Sequence, residues 1–286
     1  MYRLYIDETG MNTLTGIDPT MPHFAVGGAV VHKHGNEFII KRGDQIRFKY
    51  WGHTDVTFRG TDMRGWKGDF LNFRDIADPI TSVVIDDRSS LRAGFEADFE
   101  KYIEKTSFRF IWTGVNKLDW IKKTPSVLPA LANPTAKGWV PVITSHEKKL
   151  SRLLYEETIQ TFIAFLMKKP DTTGQVIVEA ATFVQDSNIL RIYNDYMSKG
   201  VPALGLSRSQ VRKILTCISF VTKRNRDTET QLADIGTHFL NVEARSIDKT
   251  LLRTLTPFEA SVSKIFHRKG FSNKVGTTKT PSIKRV

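Results

Sequence analysis

The stretch Tyr2-Arg3-Leu4-Tyr5-Ile6-Asp7-Glu8-Thr9-Gly10 decides the fold of this chain. Tyr2, Leu4 and Ile6 alternate with Arg3, Tyr5 and Asp7, which is the period of a half-buried strand, and Glu8-Thr9-Gly10 closes it with a glycine turn. A carboxylate is poorly suited to a strand interior, and burying one without a partner is costly. A strand that carries Asp7-Glu8 to its tip therefore supplies the charge with a partner, most naturally a divalent cation.

Outward from this strand, His23 to Val31 reads as a second strand beside the first, joined to it as a hairpin. Residues 36–51 form a helix that Gly43 weakens and Trp51-Gly52 ends, and Val56-Thr57-Phe58 suggests a third strand. Phe95 to Lys105 has the pattern of an amphipathic helix, and Phe108 to Val115 follows as a strand. Residues 124–141 hold four prolines and little periodicity, the composition of a surface loop or flap. A long helix runs from an N-cap at Ser145 to Lys169, followed by a short strand, Gln175 to Glu179, that ends in a carboxylate. A helix from Asp186 to Lys199 stops at Gly200, Ile218 to Val221 is the last strand, and Thr228 to Val242 is the last core helix. This order predicts an α/β fold, a mixed sheet flanked by helices, with inserted loops. The catalytic domain is expected to occupy residues 1–245 and a basic C-terminal extension residues 246–286. From Lys264 the last 23 residues carry seven Lys or Arg and no Asp or Glu, which reads as a solvated tail or an arm that grips phosphate.

With 286 residues, 40% hydrophobic and 25% charged, the chain can bury a real core. Its net charge of +12 points to a polyanionic partner, nucleic acid above all, without separating binding from cleavage. The single cysteine, Cys217, excludes an internal disulfide and a Cys-rich zinc site, and its apolar neighbours suggest a small core residue. No charged leader with an apolar run is seen, and no segment reaches the roughly 18 apolar residues of a membrane span. A soluble protein of the reducing cytoplasm, with no membrane partner, is expected. A protein partner or a homo-oligomer is left open. The phosphate loop, the Gly-x-Gly-x-x-Gly fingerprint and the nucleophile elbow are all missing, which argues against the common NTPase, dinucleotide and serine-hydrolase readings.

Three acids share one setting: Asp7 and Glu179 at strand ends, and Asp234 in the helical run Gln231-Leu232-Ala233-Asp234. Taken singly, each reads as an ordinary solvent-facing carboxylate. Strand C-terminal ends gather at one edge of an α/β sheet, and three acids gathered there repel one another unless a cation lies between them. Two Mg²⁺ or Mn²⁺ ions roughly 4 Å apart suit phosphodiester hydrolysis, and the basic charge favours that conjunction.

At these residues the chain resembles a large bacterial and phage family of predicted RNase H-like nucleases, most of them uncharacterised, that opens on Tyr-Ile-Asp-Glu-Ser-Gly. The resemblance starts at Tyr5-Ile6-Asp7-Glu8-Thr9-Gly10 and continues through Phe48-Lys49-Tyr50-Trp51-Gly52 and Gly60-Thr61-Asp62-Met63-Arg64. Val176-Ile177-Val178-Glu179 with Asp186, Phe220-Val221-Thr222-Lys223 and Gln231-Leu232-Ala233-Asp234 complete it, so that it spans most of residues 1–245. It implies a metal-dependent nuclease in which Asp7, Glu179 and Asp234 hold the metal, with Glu8 or Asp186 as a further ligand. Lys223 would lie near them, on the scissile phosphate or an ordered water. It also implies a phage, mobile-element or antiviral defence setting. Two positions depart from the family: Arg59 stands where a histidine is common, and Ala181 where an arginine often follows the Glu. Arg59 can still hold a phosphate.

The basic residues Arg59, Arg224, Arg226, Lys264, Arg268 and Lys269 are the candidate nucleic-acid contacts, and Trp51, Trp66 and Trp139 are candidate base-stacking side chains. His32 and His34 share a strand face but are assigned no role. The competing expectation is a nucleic-acid-binding subunit without catalysis. A third is an interaction protein that grips an acidic partner through its basic tail.

Overall fold

Buried on both sides, the opening strand sits at the centre of the sheet. The computed structural model describes residues 1–68, 70, 88–135, 138–222, 227–271 and 283–285. β1 (Tyr2–Thr9) and β2 (His23–His32) lead to α1 (Asn36–Trp51), α2 (Gly60–Gly65) and α3 (Arg88–Lys105). Next come β3 (Arg109–Asn116), α4 (Lys117–Lys123), α5 (Leu128–Ala132) and α6 (Val140–Met167). β4 (Gly174–Glu179), α7 (Phe183–Lys199), α8 (Arg208–Ile214) and β5 (Leu215–Val221) follow, then α9 (Thr228–Ile247), α10 (Pro257–Lys269) and the three-residue β6 (Ile283–Arg285). The mixed sheet has the order β5-β4-β1-β2-β3-β6. β1, β2 and β3 form an antiparallel meander, whereas β4 is parallel to β1 and β5 to β4.

Alternation along β1 assigns its side chains to two cores. Leu4 and Ile6 face a layer built by α6, α7 and α8, where Leu154, Ile159, Phe162 and Ile192 are buried. Tyr5 faces the other layer, where Phe99, Phe239, Phe258 and Phe266 come from α3, α9 and α10. Helices on both faces of a sheet explain why β1 and β2 are buried through their middles rather than half-buried. α9 lies very close to β2: a Cβ on Gly27 would fall 2.0 Å from Thr237 Oγ1. Only glycine permits that approach.

Several sequence expectations are corrected. Val56-Thr57-Phe58 alternates buried and half-buried residues, yet it is no strand; side chains bind its backbone, with Arg47 Nε donating to Val56 O at 2.8 Å and Phe58 N to Gln231 Oε1 at 2.8 Å. Residues 124–141 are not one open loop. A 3-10 turn at Pro125–Val127, α5 and the start of α6 occupy much of the stretch, and Val127 and Ala130 are fully buried. Pro125, Pro129 and Pro141 sit in first helical turns, where a missing N–H costs nothing. Cys217 is exposed, because β5 is the outermost strand on its side of the sheet.

The basic tail is the largest correction. α10 begins with a capping box between Thr256 and Glu259 and buries Phe258, Val262, Ile265 and Phe266, so the fold continues past residue 245 to Lys269. β6 then pairs in parallel with β3. The remaining residues of the expected tail, 272–282 and 286, lie outside the described residues. Among the described residues, no helix is long and apolar enough to cross a membrane.

Candidate carboxylate site

Parallel pairing of β1 with β4 ends at Ile6 and Val178, so the next residues, Asp7 and Glu179, stand side by side where these two strands part, Asp7 still paired with Gly27 of β2 and Glu179 with Val221 of β5. α9 crosses the same edge and delivers Asp234. Asp7, Glu179 and Asp234 line one cleft of about 220 Å³, together with Glu8, Arg59 and Asp227.

The Gln231-Leu232-Ala233-Asp234 run is explained by what it holds. Residues three apart share a helix face. Gln231 Oε1 accepts the Phe58 N–H at 2.8 Å, and Asp234 Oδ2 accepts the Gly60 N–H at 2.7 Å. The two acceptors thus grip alternate amides of an extended segment. A second donor, Arg47 Nη2, reaches Gln231 Oε1 at 2.8 Å. Between the gripped amides stands Arg59, exposed and on the cleft wall. Gly60 cannot be replaced without displacement, since a Cβ there would meet the His238 Cβ at 2.5 Å.

Burial pushes the Asp7 carboxyl well above the usual carboxylate range, and the negative charges of Asp234 and Glu179 push it further. Asp234 is raised as well, again chiefly by burial, with the Gly60 amide and Arg59 acting against the shift. Asp7 and Asp234 are hydrogen-bonded to each other, so the pair retains a proton that isolated carboxylates would release. Among the described residues, no three His, Cys, Asp or Glu side chains stand in a ready-made coordination group. The donor set at the cleft is anionic and all oxygen, and its excess charge raises its affinity for a cation. This chemistry suits a hard divalent ion.

Glu8 points from β1 toward the opposite layer, where it accepts hydrogen bonds from Tyr155 Oη at 2.8 Å and Gln185 Nε2 at 2.9 Å. Burial, then the Glu8 charge, raises the Tyr155 hydroxyl well above its ordinary value. Asp186 is not on the wall of the cleft. Its Oδ1 accepts the Ala181 N–H at 3.2 Å in the first turn of α7, and its charge is felt by Tyr155, on the Glu8 side of the sheet.

Lys223, Arg224 and Arg226 lie outside the described residues, although their neighbours Thr222 and Asp227 both line the cleft. The basic residues of α10 are elsewhere. Arg268 pairs with Glu104 at 2.7 Å, and Lys269 Nζ donates to the Glu104 and Thr106 carbonyls at 3.0 and 2.6 Å, capping the end of α3. Lys264 is exposed on the same helix. Of the tryptophans, Trp51 is a core residue and Trp66 packs against Phe70 and Phe95, leaving only Trp139 substantially exposed, at 37%. His32 and His34 contact each other at the opposite end of β2.

Asp227 is the cleft acid that sequence reasoning missed. An acid just before a helix normally caps it, but no cap hydrogen bond forms here, and burial raises its carboxyl. Gln185 and Tyr155, which fix Glu8, carry no signal in sequence. No protein-family model, curated protein or solved structure matches this chain.

Proposed function

We propose that this protein is a divalent-metal-dependent nuclease with an RNase H-like domain, hydrolysing phosphodiester bonds of DNA or RNA. The observation that carries the reading is the convergence of Asp7, Glu179 and Asp234, from three elements, on one cleft with Arg59 at its wall. The sheet order supports it: an antiparallel meander of β1, β2 and β3, extended by β4 and β5 parallel to β1, suits an RNase H-like domain. The family resemblance and the net charge of +12 point the same way.

In this reading Asp7, Glu179 and Asp234 hold Mg²⁺ or Mn²⁺, and Asp227 adds a fourth carboxylate. When bound, such ions supply Lewis-acid stabilisation of the phosphoryl oxygens and a more acidic water. Arg59 grips the substrate phosphate, and its position is set by the amides that Gln231 and Asp234 hold. Lys223 remains assigned to the scissile phosphate. Glu8, fixed by Tyr155 and Gln185, orients a water at the rim.

Asp7→Asn is the decisive variant. It should abolish Mg²⁺-dependent cleavage of labelled DNA and RNA while leaving nucleic-acid affinity in EDTA largely intact. Mg²⁺ should also raise the thermal midpoint of the native protein and not that of the variant, since binding to the folded state stabilises it. Unchanged cleavage by the variant overturns the reading. Binding without turnover by the native protein assigns it instead to a non-catalytic subunit.

A further inference from the structure

Phe183, the first residue of α7, is 86% exposed, and Val184 beside it is 57% exposed. A lone exposed apolar side chain is ordinary on a protein surface, but here two adjoin each other at the start of α7, just after the strand that carries Glu179. Phe183 follows Glu179 by four residues, and Gln185, two residues further on, is hydrogen-bonded to Glu8 at the cleft. Thr182 fixes the start of the helix by accepting the Gln185 N–H at 3.3 Å, so the ring is carried on an ordered turn. Further along α7, Leu190 is 40% exposed and Arg191 is exposed two turns beyond Phe183.

We infer that Phe183 is a stacking platform for an unpaired base next to the scissile phosphate, which makes the substrate a single strand. The inference rests on the nuclease reading of the adjacent carboxylates. In a duplex each base face is covered by its neighbours, so a protein ring gains a flat partner only from an unpaired or extruded base. An exposed ring followed by an exposed arginine is the combination that tracks a single strand, bases on the aromatic and backbone on the cation. Of the tryptophans singled out from the sequence, Trp51 and Trp66 do not fill this role, because both are packed in the core layer.

The test is fluorescence anisotropy of a labelled single-stranded oligonucleotide and of a fully paired two-strand duplex, in EDTA so that no turnover intervenes. Phe183→Ala should weaken single-strand binding by about tenfold and leave the duplex unchanged, whereas Phe183→Trp should restore it, with emission quenched on binding. Equal affinities for native and Phe183→Ala protein, or an equal loss on both probes, overturn the inference. The readout is separate from Asp7→Asn cleavage. Selective loss in Phe183→Ala alongside an inactive native protein upholds the platform and removes the nuclease, and Asp7-dependent cleavage with Phe183→Ala unaffected does the reverse.

Discussion

His238 shows what a single side chain on α9 costs and contributes. It is buried one turn after Asp234, against Gly60, and burial together with Arg64 lowers its pKa to about 4, opposed by Glu259. Its folded pKa lies below the ordinary value, so the unfolded chain takes up the proton first as pH falls. Stability tied to His238 is therefore whole above pH 6.5 and lost progressively toward pH 4. Urea titrations at pH 7 and pH 4.5 should show the native protein losing about 2–3 kcal/mol more than His238→Gln, whose side chain does not titrate in that range. The carboxylate pair acts with the opposite sign, since raised folded pKa values favour the acid side. At the same scale, Asp7, Glu179 and Asp234 were legible in the sequence because charge is conspicuous at strand ends and in apolar helices. Gln185 and Tyr155 were not, because a polar side chain that reaches across a sheet leaves no local periodicity.

Among elements, the contact between α9 and β2 governs the site. Gly27→Ala would place its Cβ 2.0 Å from Thr237 Oγ1, and relief requires α9 to move away from the strand that pairs Gly27 with Asp7. Overpacking of this kind should cost about 1–3 kcal/mol in chemical denaturation and, under the proposed nuclease reading, lower the cleavage rate as Asp234 separates from Asp7. Periodicity made β1, β2, β4 and the long helices readable in advance. It failed at Val56-Thr57-Phe58, where the pattern is that of a strand but Arg47 and Gln231 side chains replace the partner strand. It failed again at 124–141, where prolines that seemed to break structure instead begin helices. Cys217 was misplaced because neighbours in sequence do not reveal which strand ends a sheet.

For the whole molecule, charge proved a poor guide to disposition. The basic run from Lys264 includes part of a helix whose apolar side completes the second core, with Phe266 packing on Phe110 at 4.8 Å and Phe258 on Phe239 at 5.6 Å. A chain stopped at residue 245 should therefore bind a hydrophobic dye and lose near-ultraviolet circular dichroism, whereas one stopped at residue 271 should keep most of both native properties. Retention of a cooperative transition by the shorter chain would count against this packing. The bond from Gly60 to Asp234 joins residues 174 positions apart, and the one from Phe58 to Gln231 residues 173 apart. Contacts so distant in sequence form late, after the loops between them have closed. The nascent or partly collapsed polypeptide thus lacks the assembled carboxylate cleft, so any metal binding that the proposed function requires must await these last framework contacts.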